Sequence, residues 1–546
     1  MSVVAAAALE LPEEPGRTLE GASARALGAY YTPPTAALVM ADWVMRDGRQ
    51  RVLEPSMGDG VFVRAVKSAA AARGTSAEIW GVELAADTFA AAVSSGLIPA
   101  ERAIREDFLA VRPFAVDAVI GNPPYVRLRH VPPAEAAVAA SAAAAVLGAP
   151  MEPAGSIWMP FLLHATRFLT PGGRVAFVLP YDFTYVRYAR PLWELLGRSF
   201  GELRIARVHE RVFPEIMQDT VLFFADGYGG RTDSVTFEAY ERVDDLVAER
   251  PAIVTSIPLT RVVAGERPFV ESLLAPELVD LLDGRVSDSS VRARDLVRFN
   301  IGYVSGDKRF FHPGDEVVRA FNLPAHHLVP SLTSSRQMRR AGVLTSGVEA
   351  EAVSRLYLPA SESLTPAERR YIRLGERTGV SNRFKCRVRD PWYVTPGVKV
   401  PDVVVPVFAD TPLLLANDSR AVASNSLLCG YLRPEVSAES LLARWYTSLT
   451  LLQVEIEVHS LGGGVRVFVP NEAGAVRLPA RADVTPGSIA QLHALVRRGE
   501  LDQAYANGDR PVLRRQMGLS VAEVELIREG VAVLAHWRNS VRTSRV

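Results

Sequence analysis

Apolar positions in the first 230 residues follow two alternating periods. Short apolar runs of strand length, such as residues 115–122 and 173–180, are separated by stretches with helical spacing, such as 61–73 and 156–169. Further strand-like runs occur at 51–55, 77–84, 101–108, 203–210 and 219–227. Strands that alternate with helices form a mostly parallel sheet covered by helices on both faces. We therefore predict a doubly wound, mostly parallel α/β fold for residues 26–230.

The remaining chain has a different pattern. Residues 1–25 lack a clear period, which predicts a loosely ordered tail, and 231–290 carry the mixed signals of a connector. From residue 291 to 485, short alternating runs are broken by Pro, Gly and Asn, which is typical of a mixed α+β domain. Residues 486–546 return to helical spacing and predict a C-terminal helical segment.

Charge is divided unevenly between the two halves, although 61 basic residues balance 61 acidic ones overall. Residues 1–290 carry 27 Lys and Arg against 36 Asp and Glu, whereas 291–546 carry 34 against 25. This asymmetry favours a polyanion as the partner of the basic half. Only Cys386 and Cys429 are present, so neither a disulfide framework nor a structural metal is expected, and a reducing cytoplasm fits. No apolar run approaches the roughly 18–20 residues of a membrane span.

Residues with binding chemistry follow the C-terminal ends of three predicted strands: Glu54, Gly58 and Gly60 after the first, Glu83 and Leu84 after the second, and Asp107 and Phe108 after the third. The glycines permit a tight turn at a helix N-terminus, and the carboxylates can accept hydrogen bonds from a ribose and an adenine. The chain has no three-glycine dinucleotide fingerprint and no Walker lysine here. The pattern therefore favours a nucleoside cofactor without a pyrophosphate, such as S-adenosylmethionine.

The fourth predicted strand ends in Asn122, Pro123, Pro124 and Tyr125. Two prolines fix φ and remove two backbone donors, so the loop is stiff. A carboxamide oxygen and a backbone carbonyl that converge on one point can accept both hydrogens of an exocyclic amino group. A neighbouring aromatic ring can support a planar base. The motif therefore favours group transfer to an amino nitrogen without a covalent nucleophile.

The order of these motifs resembles that of the gamma-class N6-adenine DNA methyltransferases, the TaqI-like or Eco57I-like kind. GAYYTPP (28–34) resembles the N-terminal cofactor motif of that family, and LEPSMGDG, GVEL, EDF and NPPY follow in order. HERVFPEIMQDTVLFF (209–224) resembles a later motif, and SLGGGVRVFVP (460–470) and RDPWYVTP (389–396) are looser matches. Met57 replaces a residue that is often smaller in the family, and we do not expect it to disturb the site.

The resemblance implies a Rossmann-like domain that uses S-adenosylmethionine and acts on double-stranded DNA. It adds Tyr30, Thr32 and Pro124 to the expected cofactor contacts. Asn122 and the carbonyl of Pro123 would hold N6 of a flipped-out adenine, and Tyr125 and Phe213 would enclose the base. It also implies a prokaryotic restriction-modification or phage-defence role, with a cognate endonuclease or another defence protein as a candidate partner, and no membrane partner.

The basic half would then be the target-recognition domain. Its densest basic stretches are 333–340 and 381–393, and their candidate DNA contacts are Arg336, Arg339, Arg340, Arg383, Lys385, Arg387 and Arg389. We predict an extended conformation for the second stretch, in which alternating cations follow phosphates or read guanine edges.

Two other functions remain open on the sequence. An N-P-P-Y loop also occurs in methyltransferases that act on glutamine amides of release factors or on RNA bases, although those proteins are usually smaller and lack a large basic domain. The chain could also be chiefly a DNA-binding subunit of a defence assembly, with methylation subordinate to binding.

Overall fold

The computed structural model describes residues 32–46, 48–212, 219–338, 340–360, 363–461 and 464–539. The chain divides into two compact units, the first reaching Leu273 and the second spanning Leu274–Asn539. The boundary lies within the stretch 231–290, for which the sequence predicts a connector. Within the described ranges, no helix is both long and apolar enough to cross a membrane.

A nine-stranded sheet forms the centre of the first unit. Its strands are Arg49–Glu54 (β1), Ser76–Val82 (β2), Ala103–Ile104 (β3), Val116–Gly121 (β4), Leu169–Pro180 (β5), Phe200–Val208 (β6), Thr220–Tyr228 (β7), Ser234–Tyr240 (β8) and Ile253–Pro258 (β9). Their order across the sheet is β3-β2-β1-β4-β5-β7-β6-β8-β9. The first five strands in this order pair in parallel, as do β6 and β8, whereas β7 is antiparallel to both of its neighbours and β9 to β8. The predicted doubly wound, mostly parallel fold is confirmed.

The chain order reverses direction across the sheet at β1, between β2 and β4. Such a switch point separates the loops that follow the two neighbouring strands and leaves a crevice at their C-terminal ends. The loops after β1, β2, β3 and β4 therefore lie along one edge of the sheet. These are the loops that carry the sequence motifs.

Helices cover the sheet of the first unit. They are Pro34–Val44 (α1), Val61–Ala72 (α2), Ala86–Ser94 (α3), Pro133–Leu147 (α4), Trp158–Thr166 (α5), Arg190–Ser199 (α6), Val243–Val247 (α7), Leu259–Ala264 (α8) and Pro268–Glu271 (α9). Consecutive residues of the central strands are buried, for example Ala176 through Leu179 in β5. Because neighbouring strand residues point to opposite faces, both faces of the sheet are covered.

Two segments of the first unit differ from the sequence prediction. The strand expected over 101–108 is reduced to Ala103–Ile104, and Phe108–Ala110 forms a single 3-10 turn. The stretch 231–290 contributes β8 and β9 to the sheet. The outer strand β9 has exposed positions at alternate residues, so it lacks the continuous apolar run that marks the central strands.

The second unit combines small sheets with helices. Its strands are Ser290–Arg292 (β10), Val297–Ile301 (β11), Leu328–Leu332 (β12), Ser354–Tyr357 (β13), Val403–Pro406 (β14), Phe408–Ala409 (β15), Leu415–Ala416 (β16), Val422–Ala423 (β17), Leu427–Leu432 (β18), Arg466–Val467 (β19) and Arg477–Pro479 (β20). They form a four-stranded sheet β11-β18-β14-β16, a three-stranded sheet β13-β12-β17, and the pairs β10-β20 and β15-β19. The mixed α+β architecture predicted for this half is confirmed.

The helices of the second unit are Pro276–Leu281 (α10), Ala293–Leu296 (α11), Lys308–Phe311 (α12), Asp315–Phe321 (α13), Pro366–Arg377 (α14), Phe384–Arg387 (α15), Ala438–Trp445 (α16), Ser448–Glu457 (α17), Pro470–Ala475 (α18), Pro486–Arg498 (α19), Leu501–Gly508 (α20) and Val521–Arg538 (α21). One apolar cluster packs the four-stranded sheet against helices such as α16 and α19. A second cluster contains Tyr303, Phe310 and Tyr371. The helical spacing predicted beyond residue 486 corresponds to α19, α20 and α21.

Candidate active site

The turn after β1 is shaped by two glycines. Gly58 and Gly60 have φ values of +51° and +75°, in the left-handed region that favours glycine. A Cβ atom on Gly60 would lie 2.2 Å from Cδ2 of Leu97, so a larger residue there would displace that side chain. The buried Met57 lies against Gly81 of β2, where a Cβ atom would come within 2.2 Å of its sulfur. The absence of a side chain on Gly81 therefore makes room for the larger residue at position 57.

The carboxylates at the ends of β2 and β3 organise their own loops. Glu83 accepts hydrogen bonds from the backbone N–H groups of Gly58 (2.9 Å) and Ala85 (2.8 Å), so it joins the loops after β1 and β2. Asp107 caps the 3-10 turn by accepting from the N–H of Leu109 at 3.0 Å. A carboxylate has about four acceptor positions, so these bonds leave capacity for a ligand.

The two apolar neighbours of these carboxylates are placed very differently. Leu84 is 63% exposed at the loop surface. Phe108 is only 2% exposed and packs its ring against Phe161, His164 and Phe168 at centroid distances of 5.0–5.4 Å. In this structure its ring therefore belongs to an aromatic cluster and presents little surface on which an adenine could stack. Burial lowers the pKa of His164 in the same cluster.

The loop after β4 is tied to the rest of the site through Asn122. Its amide nitrogen donates to the hydroxyl of the buried Thr32 at 3.2 Å, and its backbone carbonyl accepts from the hydroxyl of Ser56 at 3.1 Å. The first bond ties the carboxamide to Thr32, with the amide nitrogen as the donor. The second bond links this loop to the glycine turn after β1.

The remaining residues of the loop are restrained by the proline rings and by the side chain of Tyr125. Pro123 is buried and Pro124 is half-buried. The half-buried Tyr125 donates its hydroxyl to the carbonyl of Val178 in β5 at 3.0 Å, which anchors the far end of the ring. The loop is thus braced at the two ends of the N-P-P-Y motif.

Glu54 is the least compensated charged group at this edge. It is 1% exposed, and neither carboxylate oxygen has a hydrogen-bond partner of normal geometry among the described residues. Burial, followed by the negative charge of Asp59, raises its pKa well above the ordinary value. The amide of Val63 and the guanidinium of Arg64 offset this only in part. A buried acid of this kind is complementary to a positively charged ligand.

The basic residues of the second unit fall into distinct environments. Arg336 and Arg340 are exposed. The stretch 381–393 is not extended as predicted, because Phe384–Arg387 forms the short helix α15 between turns. Arg389 donates to the carbonyl of Ser305 at 2.9 Å and to the carbonyl of Val304, and burial lowers its pKa. Its guanidinium therefore supports the fold of this unit.

The other three cations of the stretch are exposed. Arg383 forms an ion pair with Asp307 at 2.8 Å. Lys385 and Arg387 lie 5.4 and 5.5 Å from the ring centroid of Phe384, which is 63% exposed. The stretch thus presents a surface of cations and one aromatic ring.

Three predicted site residues, Tyr30, Phe213 and Arg339, lie outside the described residues. Two residues were not predicted but join the site, Ser56 beside Asn122 and Asp307 beside Arg383. Ser56 lies within the LEPSMGDG motif, so the motif itself could have indicated that this residue belongs to the site. The pairing of Asp307 with Arg383 joins distant parts of the chain and has no local sequence signal.

Two family models match the chain. The model described as N-6 DNA Methylase matches residues 18–187. The model described as the C-terminal domain of the type II methyltransferase M.Eco57I matches residues 266–513. Together these matches span most of the chain, one over the motif-bearing region and the other over the basic half.

Full-length relatives agree with these matches. The type II methyltransferase M.AccI of Acinetobacter calcoaceticus is 22% identical over 471 residues, which cover 81% of this chain and 83% of that protein. M.XamI of Xanthomonas campestris pv. amaranthicola is 26% identical over 491 residues, 86% of each. Among solved structures, the type IIL restriction-modification enzyme MmeI, determined in complex with DNA, aligns with a TM-score of 0.52 and 12% identity over 92% of this chain and 74% of that one.

The fold and the family models define a DNA methyltransferase of a restriction-modification system. The chain resembles the N-6 DNA methylases over residues 18–187 and the type II methyltransferase M.Eco57I over residues 266–513.

Proposed function

We propose that this methyltransferase transfers a methyl group from S-adenosylmethionine to N6 of an adenine that is flipped out of double-stranded DNA. The observation that carries the proposal is the fixed carboxamide of Asn122 at the end of β4, oriented by Thr32 and tied to the glycine turn through Ser56. An amino nitrogen is the group that a carboxamide oxygen and a neighbouring carbonyl can hold together.

The residues of the loop act by positioning and polarisation. The oxygen of Asn122 and the carbonyl of Pro123 accept the two hydrogens of the amino group and direct its lone pair outward. Tyr125 supports the plane of the base, with its hydroxyl anchored on Val178. Neither an amide nor a carbonyl takes up a proton at neutral pH, so the proton lost by the methylated nitrogen passes to water. Catalysis then depends on the geometry of a stiff loop.

The cofactor fits the edge formed by the loops after β1 to β4. When bound, S-adenosylmethionine supplies an electrophilic methyl group on a positively charged sulfur. Glu83 and Asp107 would accept hydrogen bonds from the nucleoside, and the turn at Gly58 and Gly60 allows its close approach. The buried carboxyl group of Glu54, which is only partly compensated among the described residues, would match the positive charges of the cofactor. The further contacts proposed for it are Tyr30, Thr32, Leu84, Phe108 and Pro124.

The proposed partner of the second unit is duplex DNA. Residues 291–546 carry an excess of nine basic residues, and MmeI, a solved structure with a similar fold, was determined in complex with DNA. A basic surface supplies the sequence-independent part of DNA binding through phosphate contacts. We propose that these phosphate contacts are made by the predicted DNA-binding residues Arg336, Arg339, Arg340, Arg383, Lys385 and Arg387.

The test is incorporation of a labelled methyl group. Full-length protein, S-adenosylmethionine labelled on the methyl group and unmethylated genomic DNA are incubated, and the DNA is digested to nucleosides. We expect label only in N6-methyldeoxyadenosine, and none in parallel reactions with RNA or a release factor. Label in cytosine, in RNA or in protein would contradict the proposal, as would duplex binding with no methyl transfer.

A further inference from the structure

A cleft in the second unit brings together residues from three separate parts of the chain. Its volume is about 620 Å³, within the range of pockets that hold small ligands. It is lined by residues 304–309, which run from a loop into α12, by His312, by Arg383 and Lys385, and by Ser424 and Asn425. The family matches assign no ligand to it.

Positive charge dominates this cleft. Lys308, Arg309, Arg383 and Lys385 line it, and the one acid among the lining residues is Asp307. Asp307 is 6% exposed and is already paired with Arg383 at 2.8 Å. The other three cations are exposed, and within the described ranges no ion pair joins them to an acid. A concave surface that is lined by charges of one sign concentrates the field and attracts the opposite charge.

The frame beneath these cations is rigid. Asp307 also accepts the backbone N–H of Phe310 at 2.7 Å, so a single carboxylate orders the loop and positions Arg383. Gly306 has a φ of +92°, and a Cβ atom there would lie 2.8 Å from the sulfur of Cys386 in α15. Arg389 donates to the carbonyl of Ser305 at 2.9 Å. The loop and the helix α15 are thus packed directly together.

We propose that this cleft binds phosphate groups of the DNA backbone through Lys308, Arg309, Lys385 and Arg383, with Asp307 as the positioning residue for Arg383. The proposal rests on the proposed function only in taking DNA as the partner. Phosphates are favoured over base edges because four cations cluster in the cleft and two of them are lysines, which act as compact point charges. Phosphate contacts position a protein on DNA without reading its sequence.

The experiment compares two triple variants of the full-length chain. The first, Lys308→Ala, Arg309→Ala and Lys385→Ala, removes three exposed cations of the cleft. The second, Arg370→Ala, Arg373→Ala and Arg377→Ala, removes three exposed cations from one face of α14 and changes the net charge equally. Affinity for a fluorescent duplex of arbitrary sequence is measured by anisotropy at several salt concentrations. The choice of sequence is immaterial because phosphate contacts do not depend on it.

We expect the cleft variant to flatten the slope of log affinity against log salt by up to about 2.7, since each lost phosphate contact contributes about 0.9. The α14 variant should keep the slope of the parent. A third variant, Lys308→Arg, Arg309→Lys and Lys385→Arg, keeps the charges and should also keep the slope. An unchanged slope in the cleft variant, or equal flattening in both alanine triples, would overturn the proposal. So would a loss of affinity at constant slope, which would indicate base contacts.

Adenine methylation and phosphate binding in the cleft are tested by independent measurements. The duplex measurement needs neither cofactor nor methyl transfer, so a parent protein without methyltransferase activity would contradict the proposed function and leave the cleft result intact. Conversely, normal adenine methylation together with an unchanged slope would remove only the cleft. Calorimetric binding of S-adenosylmethionine to each variant checks that the first unit is unaffected.

Discussion

The candidate active site and the basic cleft use polar residues in opposite ways. At the sheet edge of the first unit, Glu83, Asp107 and Asn122 are all bonded to backbone or neighbouring side chains, so each group has a fixed direction. In the cleft of the second unit, Lys308, Arg309 and Lys385 are exposed, with no ion pair among the described residues. Methyl transfer requires one atom at one position, whereas attraction of a polyanion requires charge over a surface. The two regions should therefore respond differently to substitution.

The largest expected difference comes from Asn122→Ala. The variant loses the acceptor of the reacting amino group, and we expect methyl transfer to fall by at least about 10²-fold, as in the loss of other preorganised polar groups. Duplex affinity and its salt dependence should stay at the parental values. Labelled-methyl incorporation and anisotropy measure the two properties, with Asn300→Ala at an exposed position of β11 as the control. Parental turnover by Asn122→Ala would remove the distinction between the two regions.

The next effect concerns the cofactor and Asp107. We expect Asp107→Ala to weaken binding of S-adenosylmethionine by roughly 10- to 150-fold, because a hydrogen bond to a charged group contributes about 1.5–3 kcal/mol. Asp107→Asn retains an oxygen that can accept from the N–H of Leu109 but lacks the charge, so it distinguishes the effect of the charge from the effect of the cap. Calorimetry should show parental affinity for Asp87→Ala, which removes an exposed acid from the first turn of α3. Parental affinity in Asp107→Ala would contradict the assignment.

A pH-dependent effect is expected at Glu54. Its folded-state pKa is raised, so the native protein holds a proton that the unfolded chain has released. Stability of the cofactor-free protein should therefore decrease as pH rises from the ordinary pKa of Glu toward the raised value, and then level off. Glu54→Gln should remove this decrease and raise the melting temperature at neutral pH, while weakening cofactor binding. Melting curves between pH 4 and 9 test the first part, and an identical pH profile in the variant would contradict it.

The smallest effects separate two arginines of the stretch 381–393. Arg389→Ala leaves the carbonyls of Val304 and Ser305 without their donor and should cost about 1–3 kcal/mol of stability in the second unit. Arg387→Ala removes an exposed side chain and should change stability by less than about 0.5 kcal/mol. Scanning calorimetry of both variants measures this contrast. Equal melting behaviour would mean that Arg389 is not a structural residue.

Sequence patterns predicted the features that depend on local order. The strand β4 was predictable because four consecutive residues, 118–121, are small or apolar and buried. The loop after it was predictable because two prolines leave few conformations. The outer strand β9 was missed, since its alternate exposed residues resemble those of a loop. The stretch 381–393 was predicted as extended from the alternation of its charges, whereas the packing of Cys386 in the apolar core around Phe310 and Tyr371 accompanies a helical turn there.

The positions of the functional groups were predictable only where the chain order places them together. Glu54 ends β1, and Glu83, Asp107 and Asn122 lie in the loops after β2, β3 and β4, so the topology places all four at one edge of the sheet. The cleft combines Lys308 with Lys385, which belong to different elements joined by a long intervening segment. No period or spacing relates such residues. They are brought into one surface by the packing of Gly306 against Cys386 and by the ion pair of Arg383 with Asp307.

The buried carboxyl group of Glu54 couples cofactor binding to the release of a proton into the solution. If the free protein keeps Glu54 protonated and a cationic ligand stabilises its ionised form, each binding event releases a proton. The heat measured at one pH would then include the ionisation heat of whichever buffer takes up that proton, and would differ between phosphate and Tris. The pKa of Glu54 would thus depend on whether the cofactor is bound.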